Sequence, residues 1–335
     1  MRTLIIRAAM AVALSVSAAG ADAAASAPLQ ALAQSLAPGV WLLPGDFPPK
    51  REPDGNTVIF RAPQGLIVLD TGRHPWHRGA ILDFARDQRV PIVAIVNSHW
   101  HLDHTSGNAE LKRAYPGARV YASSAIEGAL KGFLPKSAAE TRKYLEAGPV
   151  DPETAEDLRG DIAVIEDPAA LKPDVVIDRS RNMALGGRRL EVHLARNAAT
   201  AGDVWLYDRK TRIAAVGDLV TLPAPFLDTA CPSGWRKALG EIWTTPFQTA
   251  IPGHGPALTR ADFASYRTAF DALIDCAGGP RAGSACAADW TAAVSPLLEP
   301  GDLALKRAGL MTESYVELLR MNAGASPFCE TDRKT

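Results

Sequence analysis

Three imidazoles and a carboxylate fall within six consecutive positions of the stretch Asn97-Ser98-His99-Trp100-His101-Leu102-Asp103-His104. Imidazole and carboxylate donors suit zinc and related divalent metals. In an extended segment His99 and His101 project to the same side, and Asp103 and His104 follow on a turn. The chain has seven histidines, so three of them here point to a metal site and not to a polar surface loop. Two more candidates lie downstream: Asp218, where Gly217-Asp218 closes an apolar run, and His254 in Pro252-Gly253-His254-Gly255-Pro256. A divalent ion held by such groups makes water nucleophilic at neutral pH and polarises a carbonyl, which is the chemistry of hydrolysis.

The elements that position these residues can be read from their patterns. The apolar strand Ile92-Val93-Ala94-Ile95-Val96 delivers the histidine motif, and a helix through residues 80–86 precedes it. Upstream of that helix, the strand Gly65-Leu66-Ile67-Val68-Leu69-Asp70 is broken by Thr71-Gly72. Asp70 therefore sits at a strand end, where it is expected to hold the histidine loop by hydrogen bonding and not to bind metal. Strand, helix, strand implies a βαβ unit, and strands near residues 39–43, 56–60 and 118–122 extend it into a layered α/β protein. His74 and His77 are expected as solvated loop residues. Residues 124–165 change to short helices, with Ser137 and Asp151 as N-caps and with Phe133 and Leu134 on packing faces. Strands return at Val175-Val176-Ile177, at residues 190–194 and 203–207, and at 213–216, repeating the logic of the first half. A helix over residues 260–274 follows His254, and a helical tail carries Tyr315, Val316, Leu318 and Leu319.

Composition narrows the partners. At 335 residues and 47% hydrophobic, the chain can bury a large core. Its net charge of −1 does not suit a polyanion, since neutralising phosphates needs clustered Lys and Arg, so nucleic acid is excluded and a small-molecule substrate is expected. Arg2 and Arg7, an apolar run and Ala21-Asp22-Ala23 read as a signal peptide over residues 1–23. That run falls short of the ~20 residues that span a bilayer, so no stable membrane anchor is expected after cleavage, and the protein is placed in the periplasm or outside the cell. Cys231, Cys276, Cys286 and Cys329 then read as disulfides. Of the three possible pairings, Cys276 with Cys286 is the easiest loop to close, leaving Cys231 for Cys329.

His-x-His-x-Asp-His after an apolar strand, Asp70-Thr71-Gly72 before it, Gly217-Asp218 and the His254 loop occur in an order that resembles the metallo-β-lactamase superfamily, over residues 36–275. The resemblance implies a four-layer αβ/βα sandwich with a helical insertion at about 124–165 and a C-terminal extension over 276–335. It implies one or two zinc ions: His99 and His101 at a first position, Asp103, His104 and His254 at a second, and Asp218 bridging. Asp103 would also be catalytic, orienting the nucleophile and carrying its proton onward. The chain departs from the family at Ala198-Ala199-Thr200-Ala201-Gly202-Asp203, where Ala199 stands in place of the first position's third histidine. His193 lies six residues earlier on a strand body and is expected to be packed. The implied function is hydrolysis of an ester, lactone, thioester or amide bond in a small molecule, and the departure at Ala199 argues against β-lactamase activity. Two alternatives stay open: His99, His101 and Asp218 also form the two-imidazole, one-carboxylate set of a non-haem iron oxidoreductase, and a non-catalytic metal-binding member is the other.

Overall fold

The computed structural model describes residues 33–322 together with 324, 326 and 329, so the leader expected over residues 1–23 lies outside the described residues. The strands form two sheets. The first runs in chain order through β1 (Gln34–Ala37), β2 (Val40–Leu43), β3 (Thr57–Ala62), β4 (Gly65–Leu69), β5 (Ile92–Val96), β6 (Arg119–Ala122) and β7 (Val175–Val176). Strands β1 to β4 are an antiparallel meander, and β4 to β7 are parallel, as their helical crossovers require. The second sheet contains β8 (Arg181–Leu185), β9 (Arg188–Arg196), β10 (Gly202–Asp208), β11 (Ile213–Thr221), β12 (Thr249–His254) and β13 (Leu258–Thr259), in the spatial order β13-β12-β11-β10-β9-β8. Only its β11–β12 pair is parallel.

Alternation along the strands decides the layers. Phe60, Ile67, Leu69 and Val96 face Val192, Val204, Leu206 and Ile251 across the space between the sheets. The intervening residues Ile59, Leu66, Val68 and Ile95 pack outward on Ile81 and Ala85 of α1 (Pro75–Asp87). The short α2 (Leu102–Thr105) and α3 (Asn108–Ala114) follow the histidine motif, and Leu111 of α3 joins the same outer cluster. The insertion contains α4 (Ala125–Lys131), α5 (Phe133–Glu146), α6 (Pro152–Ile165) and α7 (Pro168–Leu171). On the far side, Trp205, Tyr207 and Val216 pack on Trp235 and Leu239 of α8 (Pro232–Thr244) and on Phe263 and Phe270 of α9 (Arg260–Gly278). Helices α10 (Gly283–Val294) and α11 (Asp302–Met321) send Trp290, Tyr315, Val316 and Leu319 into that same cluster. The result is the helix–sheet–sheet–helix sandwich expected.

Three details differ from or sharpen the reading of the sequence. Val175–Val176 pairs with β6 and closes the first sheet, so the second half begins at Arg181 and not at Val175. Ser137 lies inside α5, which starts at Phe133, and so caps nothing; Asp151 does cap α6, accepting from the Glu153 backbone N–H at 3.2 Å. Both disulfides are present, Cys231–Cys329 and Cys276–Cys286. The insertion docks through Ile126, Ala129, Leu134 and Leu171 onto Trp100 and Leu102 of the histidine motif. Trp100 is thus a packing residue, with its ring 5.1 Å from that of Phe133. Among the described residues no helix is long and apolar enough to cross a membrane.

Candidate metal centre

The centre lies where the C-terminal ends of β4 and β5, the middle of β11 and the end of β12 come together. Asp70 follows β4 with φ at 64°, a left-handed conformation that Asp tolerates better than most residues. This turns its carboxylate under the histidine loop. The carboxylate accepts from the Ser98 backbone N–H and hydroxyl, each at 2.7 Å, and from His104 Nδ1 at 2.9 Å. Since the Ser98 hydroxyl gives its one proton to Asp70, its oxygen must accept from His99 Nδ1 at 2.9 Å. His99 is therefore left with the lone pair on Nε2, and in both His99 and His104 it is Nε2 that faces the centre, since Nδ1 is engaged by Ser98 in one ring and by Asp70 in the other. That is the role expected of Asp70; Ser98, which the sequence shows only as a neighbour of His99, was the missing link.

The Nε2 atoms face a buried group of carboxylates. His104 Nε2 is 3.2 Å from Asp218 Oδ1, 3.2 Å from His254 Nε2 and 3.5 Å from Asp103 Oδ2. His254 Nε2 lies 3.0 Å from Asp103 Oδ2 and 3.6 Å from Asp218 Oδ1, and His99 Nε2 lies 3.7 Å from Asp218 Oδ2. Two donor sets result, His99 with His104 and Asp218, and Asp103 with His104 and His254, each with its donor atoms within 4.8 Å of one another. Five of the six candidate residues are thus brought together, with His104 common to both sets. His101 is in neither; its Nε2 lies 3.1 Å from Thr229 Oγ1.

Charge decides what such a cluster can hold. Burial opposes charge on His104, but Asp218, Asp103 and Asp70 together hold its pKa well above the ordinary imidazole value. Burial likewise opposes ionisation of Asp103, and His104, His254 and Arg73 outweigh it. His99 is pushed the other way, first by burial and then by the neighbouring imidazoles. The carboxylates therefore call for a cation, while His99 Nε2 and Asp218 Oδ1 are buried with no hydrogen-bond partner. Three imidazoles and two carboxylates with those orphaned donors fit a divalent metal ion.

The remaining histidines are structural. His74 and His77, expected in solvent, are 3% and 5% exposed. The reason is a set of partners from distant segments: His74 Nδ1 meets Asp54 at 2.8 Å and its Nε2 meets Asp157 at 3.1 Å, while His77 Nε2 meets Thr57 Oγ1 at 2.8 Å. Burial lowers the His74 pKa, but Asp157 and Asp54 more than reverse this and raise it to about 8, against 6.5 for the free side chain. A raised folded-state pKa contributes stability fully present below pH 6.5 and lost as pH rises through about 8. The stability difference between wild type and His74→Gln should therefore shrink by on the order of 1–2 kcal/mol between pH 6 and pH 9. Urea unfolding of both proteins across that range measures it, and a constant difference would contradict the charged His74.

His193 is packed as expected, stacked on Trp205 at 3.8 Å and 3.4 Å from Glu191, away from the centre. Ala199 is buried, and no imidazole approaches from its turn; its carbonyl accepts from Thr229 at 3.0 Å. Sequence reasoning did not find Thr229, nor Phe226, whose ring is 6.0 Å from His101 and 5.3 Å from Tyr315 of α11. It also missed Arg73, 3.9 Å from Asp103 and ion-paired with Asp161.

Residues 51–278 match the model of the metallo-beta-lactamase superfamily. Among curated proteins, the hydroxyacylglutathione hydrolase of Gloeobacter violaceus is 54% identical over 43 residues, 13% of this chain and 17% of that protein. The atrochrysone carboxyl ACP thioesterase of Passalora fulva is 33% identical over 86 residues, 25% of this chain and 26% of that protein. The chain thus spans about a quarter or less of the length of these two relatives. Among solved structures, a metallo-beta-lactamase from Pontibacter korlensis superposes with a TM-score of 0.52 at 19% identity, covering 71% of this chain and 98% of that one. With the family model matched over more than half its length and the same sandwich fold, this chain belongs to the metallo-beta-lactamase superfamily.

Proposed function

We infer that the protein is a metal-dependent hydrolase, using one or two zinc ions, that cleaves an ester, lactone, thioester or amide bond in a small molecule. The observation that carries this reading is the convergence of His99, Asp103, His104, Asp218 and His254 into two adjoining donor sets that share His104. A divalent cation held there supplies Lewis acidity, polarising a carbonyl oxygen and making water acidic enough to attack it near neutral pH. The chain's own residues do the rest. Asp70 and Ser98 fix the rings of His99 and His104. Asp103 is the carboxylate placed to orient the attacking water and receive its proton, and Arg73 at 3.9 Å helps keep it ionised. Phe226 packs beside His101, with Tyr315 against its other side. The names of the hydrolase and thioesterase relatives support acyl transfer to water, with a thioester among the bonds to try first. The two disulfides support an oxidising compartment, the periplasm or the exterior.

Elemental analysis of the purified protein, alongside assays on an ester, a lactone, a thioester and a β-lactam, tests the reading. Zinc and hydrolysis that chelators abolish are expected, restored by adding zinc back. Iron as the sole metal, with oxygen consumption in place of hydrolysis, would overturn it.

A further inference from the structure

Asp103 has a cationic neighbour besides the imidazoles. Arg73 Nη2 lies 3.9 Å from Asp103 Oδ1, a separation that leaves attraction between the charges but no hydrogen bond. The rest of the guanidinium is occupied elsewhere. Its Nε donates to the Pro53 carbonyl at 3.1 Å, and its Nη1 donates to Asp161 Oδ2 of α6. The Arg73 backbone is fixed as well, because its N–H donates to Asp54 Oδ1 at 2.6 Å. Only the tip of the side chain is free to shift, and a movement of about 1 Å would bring Nη2 into a charge-assisted hydrogen bond with Asp103. The side chains of Arg73, Asp103 and Asp161 are 12%, 9% and 17% exposed, so water screens this competition poorly.

The insertion does not need Asp161 to stay attached. Asp157, one turn earlier on the same face of α6, accepts from the Arg51 guanidinium at 2.6 Å and from the Glu52 backbone N–H at 3.0 Å, and it meets His74 Nε2 at 3.1 Å. Glu156 pairs with Arg51 at 2.8 Å and Asp151 with Lys50 at 2.7 Å. What Asp161 adds is a hold on Arg73 from the side away from Asp103. That hold matters to the donor set of Asp103, His104 and His254, in which Asp103 Oδ2 lies 3.0 Å from His254 Nε2 and 3.5 Å from His104 Nε2. A guanidinium closed onto Oδ1 would draw charge from the carboxylate and turn Oδ2 away from the imidazoles, and a cation already seated there opposes a second.

We propose that Asp161 of the helical insertion is a positioning residue that holds the Arg73 guanidinium off Asp103, which keeps Asp103 available to the donor set it shares with His104 and His254. The proposal rests on the reading of that set as a metal site.

Zinc titration of the full chain against a chelating dye tests it. Asp161→Asn should weaken zinc binding about 10-fold, the effect of disturbing a group behind a metal ligand. In an Arg73→Met background the same change should have no effect, because no guanidinium is left to release. A plain anchor for the insertion would behave otherwise and weaken zinc binding equally in both backgrounds. Glu156→Gln, which removes another ion pair of the same helix, should leave zinc affinity unchanged. Wild-type affinity in Asp161→Asn, or an equal loss in both backgrounds, overturns the proposal and leaves the metal site standing. If Asp161→Asn alone does not fold, the comparison within the Arg73→Met background decides: no change there upholds the proposal and a loss of affinity overturns it. A wild type that binds no zinc brings down the proposal and the proposed function together.

Discussion

Replacing His104 with alanine is expected to remove the metal from both donor sets and to abolish hydrolysis, a larger loss than any other single histidine gives. His104 is the one imidazole common to both sets, with its Nε2 at 3.2 Å from Asp218 and 3.2 Å from His254. Changing a residue that merely orients a ligand costs about 10- to 100-fold in metal affinity, so losing a shared ligand should exceed about 100-fold. His254→Ala should follow, since it breaks only the set with Asp103, and His99→Ala should break only the set with Asp218. A second consequence separates this variant from ordinary ligand loss. His104 lies between Asp70, Asp103 and Asp218, so without its imidazole three buried carboxylates face one another. Metal-free His104→Ala should therefore melt well below metal-free His99→Ala. Zinc titration against a chelating dye and thermal melts of the metal-free proteins measure both points. Equal zinc affinity in His104→Ala and His99→Ala would show that His104 is not shared.

Much of this centre was legible because its ligands sit at strand ends, where apolar runs stop abruptly at polar residues. Ile92-Val93-Ala94-Ile95-Val96 stops at Asn97, Leu69 stops at Asp70, and β11 carries Gly217-Asp218 after four apolar residues. Such stops register on the sequence because burial on both faces of a strand demands an unbroken apolar run. The supporting residues were illegible for the complementary reason, that their meaning depends on partners far away in the chain. Thr229 sits in a loop without periodicity, and nothing near it in sequence indicates that it meets His101. His74 and His77 look like loop histidines until Asp54, Asp157 and Thr57 are brought around them. The two residues of β7 pattern equally well with either sheet; pairing with β6, and not composition, assigns them. Tyr315 read as one apolar position of a tail helix, and its place against Phe226 follows from α11 packing in the same cluster as α8 and α9.

Gly253 shows how a residue with no side chain can be as constraining as a ligand, and Gly253→Ala is the second change expected to have a large effect. A Cβ built at Gly253 would lie 1.8 Å from Asp218 Oδ1, and 2.8 Å from both the Asp218 backbone nitrogen and the Gly217 carbonyl carbon. No left-handed backbone angle is involved, so the requirement is close approach alone. Two of the three obstacles are main-chain atoms of β11, which cannot rotate aside as a flexible side chain would. The remaining response is separation of β11 from β12, whose parallel register pairs Gly217 with Pro252. That movement would pull Asp218 from His104 and also shift His254, the next residue after the substitution. It would strain the Asn56 backbone N–H to Gly253 carbonyl bond, 2.7 Å long, as well. Overpacking of this kind costs about 1–3 kcal/mol in stability. The loss of zinc affinity should be larger than that figure alone suggests, at least about 10-fold, because both donor sets lose geometry together. Gly240→Ala is the matched control: it lies in α8 with nothing within 4 Å of its added Cβ, so the change should be neutral or slightly stabilising, with zinc affinity unchanged. Melting temperature and zinc titration of the two variants decide the matter. If Gly253→Ala behaves like Gly240→Ala, then β11 and β12 can part without disturbing Asp218, and the centre is not built on the close contact between those two strands.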